Sequence, residues 1–214
     1  MRAAFRLVPL VMAALLLSVR PIVAQSSAAR LEIILTPGAI AEGPAVSTAG
    51  LLADPRTRDP LVNGAFPTGI HYRLELWRKG GLVNDFDGRS EWDVLVSYDP
   101  TKRLYSVVRK QDEDVIENFG AFASLESAES QFGRPLRIPL RPNRPGQYYY
   151  HLSVEVKTLT ENDLDALQQW MRGPNGKNGN PLSVVGKGVG KLLSRVLGGA
   201  VQKYQESSGT FSYP

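Results

Sequence analysis

Two histidines, His71 and His151, are the only imidazoles in the 214 residues, and no cysteine accompanies them. Both fall on the polar side of alternating segments. Two histidines with one carboxylate can bind a divalent metal, provided that their strands are neighbours. No local motif supports such a site, for instance two histidines four residues apart with a glutamate between them. Exposed strand histidines are the simpler reading. The lack of cysteine removes disulfides, thiolate nucleophiles and Cys-based zinc sites together, and with them any disulfide-linked partner.

Carboxylates come in two groups. Asn84-Asp85-Phe86-Asp87-Gly88 first suggests a calcium loop. With Gly88 at the sixth position, the first and twelfth would be Val83 and Val94, and neither is the carboxylate such a loop needs. A hairpin loop rich in turn formers fits better. Asp112, Glu113, Asp114 and Glu117 cluster near Lys110. Paired carboxylates can hydrolyse a glycosidic bond, but charges around a turn are usually solvated surface. The chain has no Gly-x-Ser-x-Gly, phosphate loop or dinucleotide fingerprint. The reading therefore assigns no catalytic residue, no cofactor and no metal.

The remaining candidates lie near the C-terminus. Over residues 182–205, Val185, Val189, Leu192, Leu193, Val196, Leu197, Ala200 and Val201 share one broad helical arc, opposite Lys187, Lys191, Ser194 and Arg195. This amphipathic, basic pattern fits either a helix packed on a sheet or one lying on an anionic lipid surface. Five glycines weaken it by about 1 kcal/mol each relative to alanine, so it needs a partner for its apolar face. Lys187, Lys191, Arg195, Leu192, Leu193 and Val196 are thus the expected membrane or partner contacts.

Strands carry most of the rest. Arg30–Leu35 alternates, with Leu31, Ile33 and Leu35 together. In Gly69–Lys79, Ile70, Tyr72, Leu74 and Leu76 oppose His71, Arg73, Glu75 and Trp77. Glu91–Tyr98 and Arg103–Lys110 form a hairpin around Asp99-Pro100. Asp114–Phe119 is a further strand candidate, and Leu136, Ile138 and Leu140 point together. A short helix within Leu51–Asn63 is expected to start at Asp59-Pro60. Ser124–Phe132 is a second, capped by Ser124 and stopped by Gly133.

After Pro145-Gly146 come three consecutive tyrosines. Tyr148 and Tyr150 join Leu152, Val154 and Val156 on one face, and Tyr149 joins His151, Ser153 and Glu155 on the other. The alternation and the Gly-x-Tyr entry favour buried tyrosines with bonded hydroxyls, as in a tyrosine corner, over an aromatic ligand platform. Thr160 to Asp163 is a near capping box for a following helix, and Gly173-Pro174 ends it.

The N-terminus reads as a secretory signal. Arg2 and Arg6 precede an apolar run from Leu7 to Val19, and small residues precede Gln25. The run is too short to span a bilayer, which takes about 20 residues. Cleavage after residue 24 would remove three arginines and leave 22 basic against 21 acidic residues. Such a balance excludes a general nucleic-acid binder.

Four segments, Leu74–Arg78 (LELWR), Ser97–Tyr105 (SYDPTKRLY), Phe122–Ala128 (FASLESA) and Gly146–Leu164 (GQYYYHLSVEVKTLTENDL), resemble a family of exported bacterial proteins catalogued as domain of unknown function 4390. The resemblance spans about residues 30–172. Asp-Pro-Thr stands where the family has a Pro-Leu turn, and the Gly/Lys-rich tail lies outside it. It implies an envelope protein with no established activity.

The expectation is a mainly β chain: an antiparallel β-sandwich, immunoglobulin-like in general architecture, with short peripheral helices and a C-terminal amphipathic helix. Its parts are a signal peptide (1–24), a sandwich domain (25–172), a Gly/Asn/Pro linker (173–181) and a basic helix with tail (182–214). The expected function is a non-catalytic binding or interaction module, exported to the periplasm or beyond, with an envelope protein or a membrane surface as partner. A membrane-surface protein using the basic helix is the alternative, and a glycan or peptide hydrolase ranks below both.

Overall fold

The computed structural model describes residues 28–36, 42–111, 115–160, 163 and 201–214. Among these residues the chain is mainly β, with antiparallel sheets and two helices. The strands are β1 (Arg30–Ile34), β2 (Ala45–Ala49), β3 (Thr68–Arg78), β4 (Asp85–Asp99), β5 (Leu104–Gln111), β6 (Val115–Phe122), β7 (Leu136–Arg137), β8 (Gly146–Thr158), β9 (Val201–Ser207) and β10 (Phe211–Tyr213). The helices are α1 (Pro55–Asn63) and α2 (Leu125–Phe132). A seven-stranded sheet runs β10-β8-β3-β4-β5-β6, with β9 also pairing β8, and a three-stranded sheet runs β1-β2-β7.

The period-2 pattern sets the large sheet's two faces. Ile70, Tyr72, Leu74 and Leu76 of β3 are buried with Trp92, Val94 and Val96 of β4 and with Tyr148, Tyr150, Leu152, Val154 and Val156 of β8. Val46 of β2, Leu61 of α1, and Leu125, Ala128 and Phe132 of α2 belong to the same core, with Leu31, Ile33 and Leu136 packed against it. Small sheet and helices thus cover one face of the large sheet. Tyr72 stacks on Trp92 at 4.9 Å, and its hydroxyl lies 3.2 Å from Thr48 Oγ1 across the two sheets. Burial pushes the Tyr72 hydroxyl pKa up.

The tyrosines after Pro145-Gly146 behave as the alternation requires. Tyr148 is 0% and Tyr150 1% exposed. The Tyr148 hydroxyl donates to the Arg144 carbonyl at 2.9 Å, four residues upstream, in the manner of a tyrosine corner. Tyr150 donates to the Leu140 carbonyl at 2.7 Å. Phe211 of β10 stacks on Tyr150 at 5.3 Å.

α2 has Ser124 as N-cap, whose Oγ accepts from the Ser127 amide at 3.1 Å, and ends at Gly133. A Cβ on Gly133 would lie 2.2 Å from the Thr48 carbonyl oxygen, so only glycine lets the helix end meet β2. α1 starts earlier than Asp59-Pro60. Asp54 is its N-cap and Pro55 its first residue, while Pro60 sits inside the helix. Asp-Pro occurs twice within residues 51–63, and burial of Thr57 and Leu61 carries the helix across the second copy.

Three further expectations change. Asp85 to Gly88 belong to β4, and the hairpin loop is shorter, comprising residues 79–84. A register shift between Leu76 and Trp77 absorbs one extra residue of β4, as a β-bulge does. Residues 201–205, placed by the amphipathic pattern in the C-terminal helix, begin strand β9 instead. The edge of β8 has backbone groups to satisfy, and Val201–Ser207 supplies them in register. The large sheet therefore extends past residue 172, where the domain boundary was expected. The leader, the linker and residues 182–200 lie outside the described residues.

Candidate functional site

The other face of the large sheet carries charge in rows. Antiparallel register aligns Lys203 of β9, Glu155 of β8, His71 of β3, Asp93 of β4 and Lys110 of β5. One row along, Gln205, Ser153, Arg73 and Glu91 align; in the next, Ser207, His151, Glu75 and Arg89. Opposite charges directly across strands stabilise a sheet and like charges oppose it; two pairs close accordingly, and a histidine–aspartate hydrogen bond closes beside them. Lys203 Nζ is 2.7 Å from Glu155, Arg73 Nε donates to Glu91 at 2.9 Å, and His71 Nδ1 lies 2.8 Å from Asp93 Oδ1. The first two pairs are partly exposed, whereas His71 and Asp93 side chains are only 13% and 10% exposed.

A shallow groove lies between β3, β8 and β9, lined by His71, Arg73, Ser153, Glu155, Lys203 and Gln205 among others. Asp93 holds one ring nitrogen of His71, leaving Nε2 as the nitrogen available to the groove. Hydrolysis by a serine needs nucleophile, base and carboxylate in series. Here the series is split between two histidines. Ser153 Oγ lies 3.4 Å from His151 Nε2, and the other nitrogen of His151 meets Ser207 Oγ at 2.9 Å. The carboxylate-held histidine is His71.

The two histidines do lie on neighbouring strands, yet they do not meet. His71 opposes Glu155 and His151 opposes Glu75. Four residues of strand separate them, about 13 Å at 3.3 Å per residue, too far to share one cation. Among the described residues no group of three or more histidine or acidic side chains could hold a metal ion. Asp87 of the acidic 84–88 stretch pairs with Arg144 at 3.4 Å. Glu117 pairs with Arg109, and Asp112, Glu113 and Asp114 lie outside the described residues.

At the far end of β8, Lys157 and Asp163 form an ion pair at 3.4 Å with both side chains 2% exposed. Asp163 also accepts from the Thr160 amide at 2.6 Å and from its hydroxyl at 2.9 Å. That is the reach-back of the expected capping box. Lys187, Lys191, Leu192, Leu193, Arg195 and Val196, the contacts expected from sequence, all lie outside the described residues. The groove needs β9, which the amphipathic pattern hides by placing Lys203 and Gln205 at the end of a helix. Tyr204 between polar neighbours was the available sign of alternation. No family model, no curated protein and no solved structure matches this chain, so its resemblance to the exported family rests on the quoted motifs alone.

Proposed function

We infer that the chain is an exported, non-catalytic binding or interaction module of the bacterial envelope. We read it as an antiparallel β-sandwich of immunoglobulin-like general architecture, because the small sheet shares a core with the large one. The N-terminal leader pattern and the four quoted motifs support export. One observation carries the functional reading. The polar sheet face presents in-register ion pairs around a shallow groove, and among the described residues no nucleophile, base and acid stand in series there. Such a face suits a polar partner that exchanges its own charges with Arg73, Glu155 and Lys203.

The test is capture of partners from the native envelope by the mature chain and by an Arg73→Glu, Lys203→Glu variant. A partner retained by the first and lost by the second is the expected result. Cleavage of peptidoglycan or peptide that disappears in His71→Ala would overturn the reading in favour of a hydrolase. The membrane-surface alternative runs through Lys187, Lys191 and Arg195, which lie outside the described residues.

A further inference from the structure

The loop joining β3 to β4 ends in an apolar point. Leu82 is 103% exposed, Val83 76% and Phe86 50%, three of the five large hydrophobics that the described residues leave exposed. The turn is tightly closed: a Cβ on Gly80 would lie 1.9 Å from the Val83 carbonyl oxygen. The side chains at its apex therefore project. Behind them is an aromatic band. Trp77 packs edge-on against Phe86 at 5.5 Å, and Tyr149 opposes Trp77 across β3 and β8. The Tyr149 hydroxyl accepts from Asn84 Nδ2 at 3.2 Å. Around the loop base stand Arg78, Lys79 and Arg144, against Asp85 and Asp87.

We propose that this hairpin tip docks the protein on an anionic lipid surface, with Leu82, Val83 and Phe86 entering the interface. Three apolar side chains on a convex point fall far short of the roughly 800 Å² per partner of a stable protein interface. A bilayer needs no complementary surface to receive them. The layering matches as well: aliphatic residues at the apex, tryptophan and tyrosine where amphipathic rings prefer to sit, and an excess of cations for the headgroups. The inference is independent of the polar groove and of the C-terminal helix.

The test uses the full mature chain with vesicles of phosphatidylglycerol and phosphatidylcholine, and with phosphatidylcholine alone. Flotation with the anionic vesicles, weakened by salt, is expected. Leu82→Asp with Val83→Asp should lower partitioning about tenfold or more at unchanged melting temperature. Lys187→Glu, Lys191→Glu, Arg195→Glu should keep the hairpin's contribution. In a Trp170→Phe chain, which keeps Trp77 and the buried Trp92, the Trp77 share of the fluorescence should be quenched by brominated lipids, a readout independent of any change at the tip. Wild-type partitioning by the Leu82, Val83 variant, or no quenching, would overturn the proposal. So would a wild-type chain that ignores both vesicles, including one that self-associates through Leu82 and makes a second copy the occupant.

Discussion

Tyr149 and Tyr150 are neighbours in the chain and live in different solvents. Tyr150 lies in the core with its hydroxyl on the Leu140 carbonyl and Phe211 stacked on its ring. Tyr149 lies on the polar face, its hydroxyl accepting from the Asn84 side chain. The same contrast runs along the whole large sheet. One face excludes water and gains about 25 cal/mol per Å² of apolar surface buried. The other arranges charges in rows, each pair contributing about 0–1 kcal/mol where exposed. The inner face holds the fold, and the outer face contributes little to it.

The largest expected effect removes both faces at one edge. Deleting residues 201–214 strips β9 and β10, uncovers Tyr150 and leaves the edge of β8 unpaired, an aggregation hazard. Its melting temperature should fall further than that of any point variant, with aggregation visible by light scattering. Retention of the wild-type melting temperature would show that the edge strands are ornamental.

Tyr150→Ala should cost about 3–5 kcal/mol in urea unfolding, and Tyr149→Ala less than about 0.5 kcal/mol. Equal losses would break the contrast between faces. The same burial predicts an alkaline response. Burial raises the Tyr150 hydroxyl pKa above its ordinary value of 10.0. A raised folded-state pKa contributes stability that is complete below the unfolded value and is lost as pH rises above it. Stability should therefore decline above about pH 10, and less steeply in Tyr150→Phe.

Asp163→Ala tests the buried exception on the polar face. Losing the bonds to Thr160 and the contact with Lys157 should cost about 2 kcal/mol. A change near zero would place that pair with the exposed ones. Smallest is the Arg73–Glu91 coupling, about 0.2–1 kcal/mol by double-mutant cycle and reduced by salt. A coupling above that range would mean the groove is drier than its exposed arginine suggests.

Much of the large sheet was legible because period-2 alternation is a local signal. Tyr72, Leu74, Val94, Val154 and their partners could be assigned to a buried face without knowing which strand lay beside which. Ser124 and Gly133 announced α2, and Thr160 and Asp163 their capping contact, through short-range chemistry. The groove was not legible, since it depends on Lys203 coming to lie against Glu155, 48 residues earlier in the chain.

The sequence by itself determined which side chains share a face, where α2 starts and stops, and that Tyr148 and Tyr150 need buried partners for their hydroxyls. These follow from backbone periodicity and from local hydrogen bonding. Only the tertiary structure decided that His71 and His151 sit about 13 Å apart on adjacent strands, because that offset comes from the β3–β8 register. It also decided that Val201–Ser207 is an edge strand, since the open backbone groups of β8 outweigh a weak helical pattern broken by glycines.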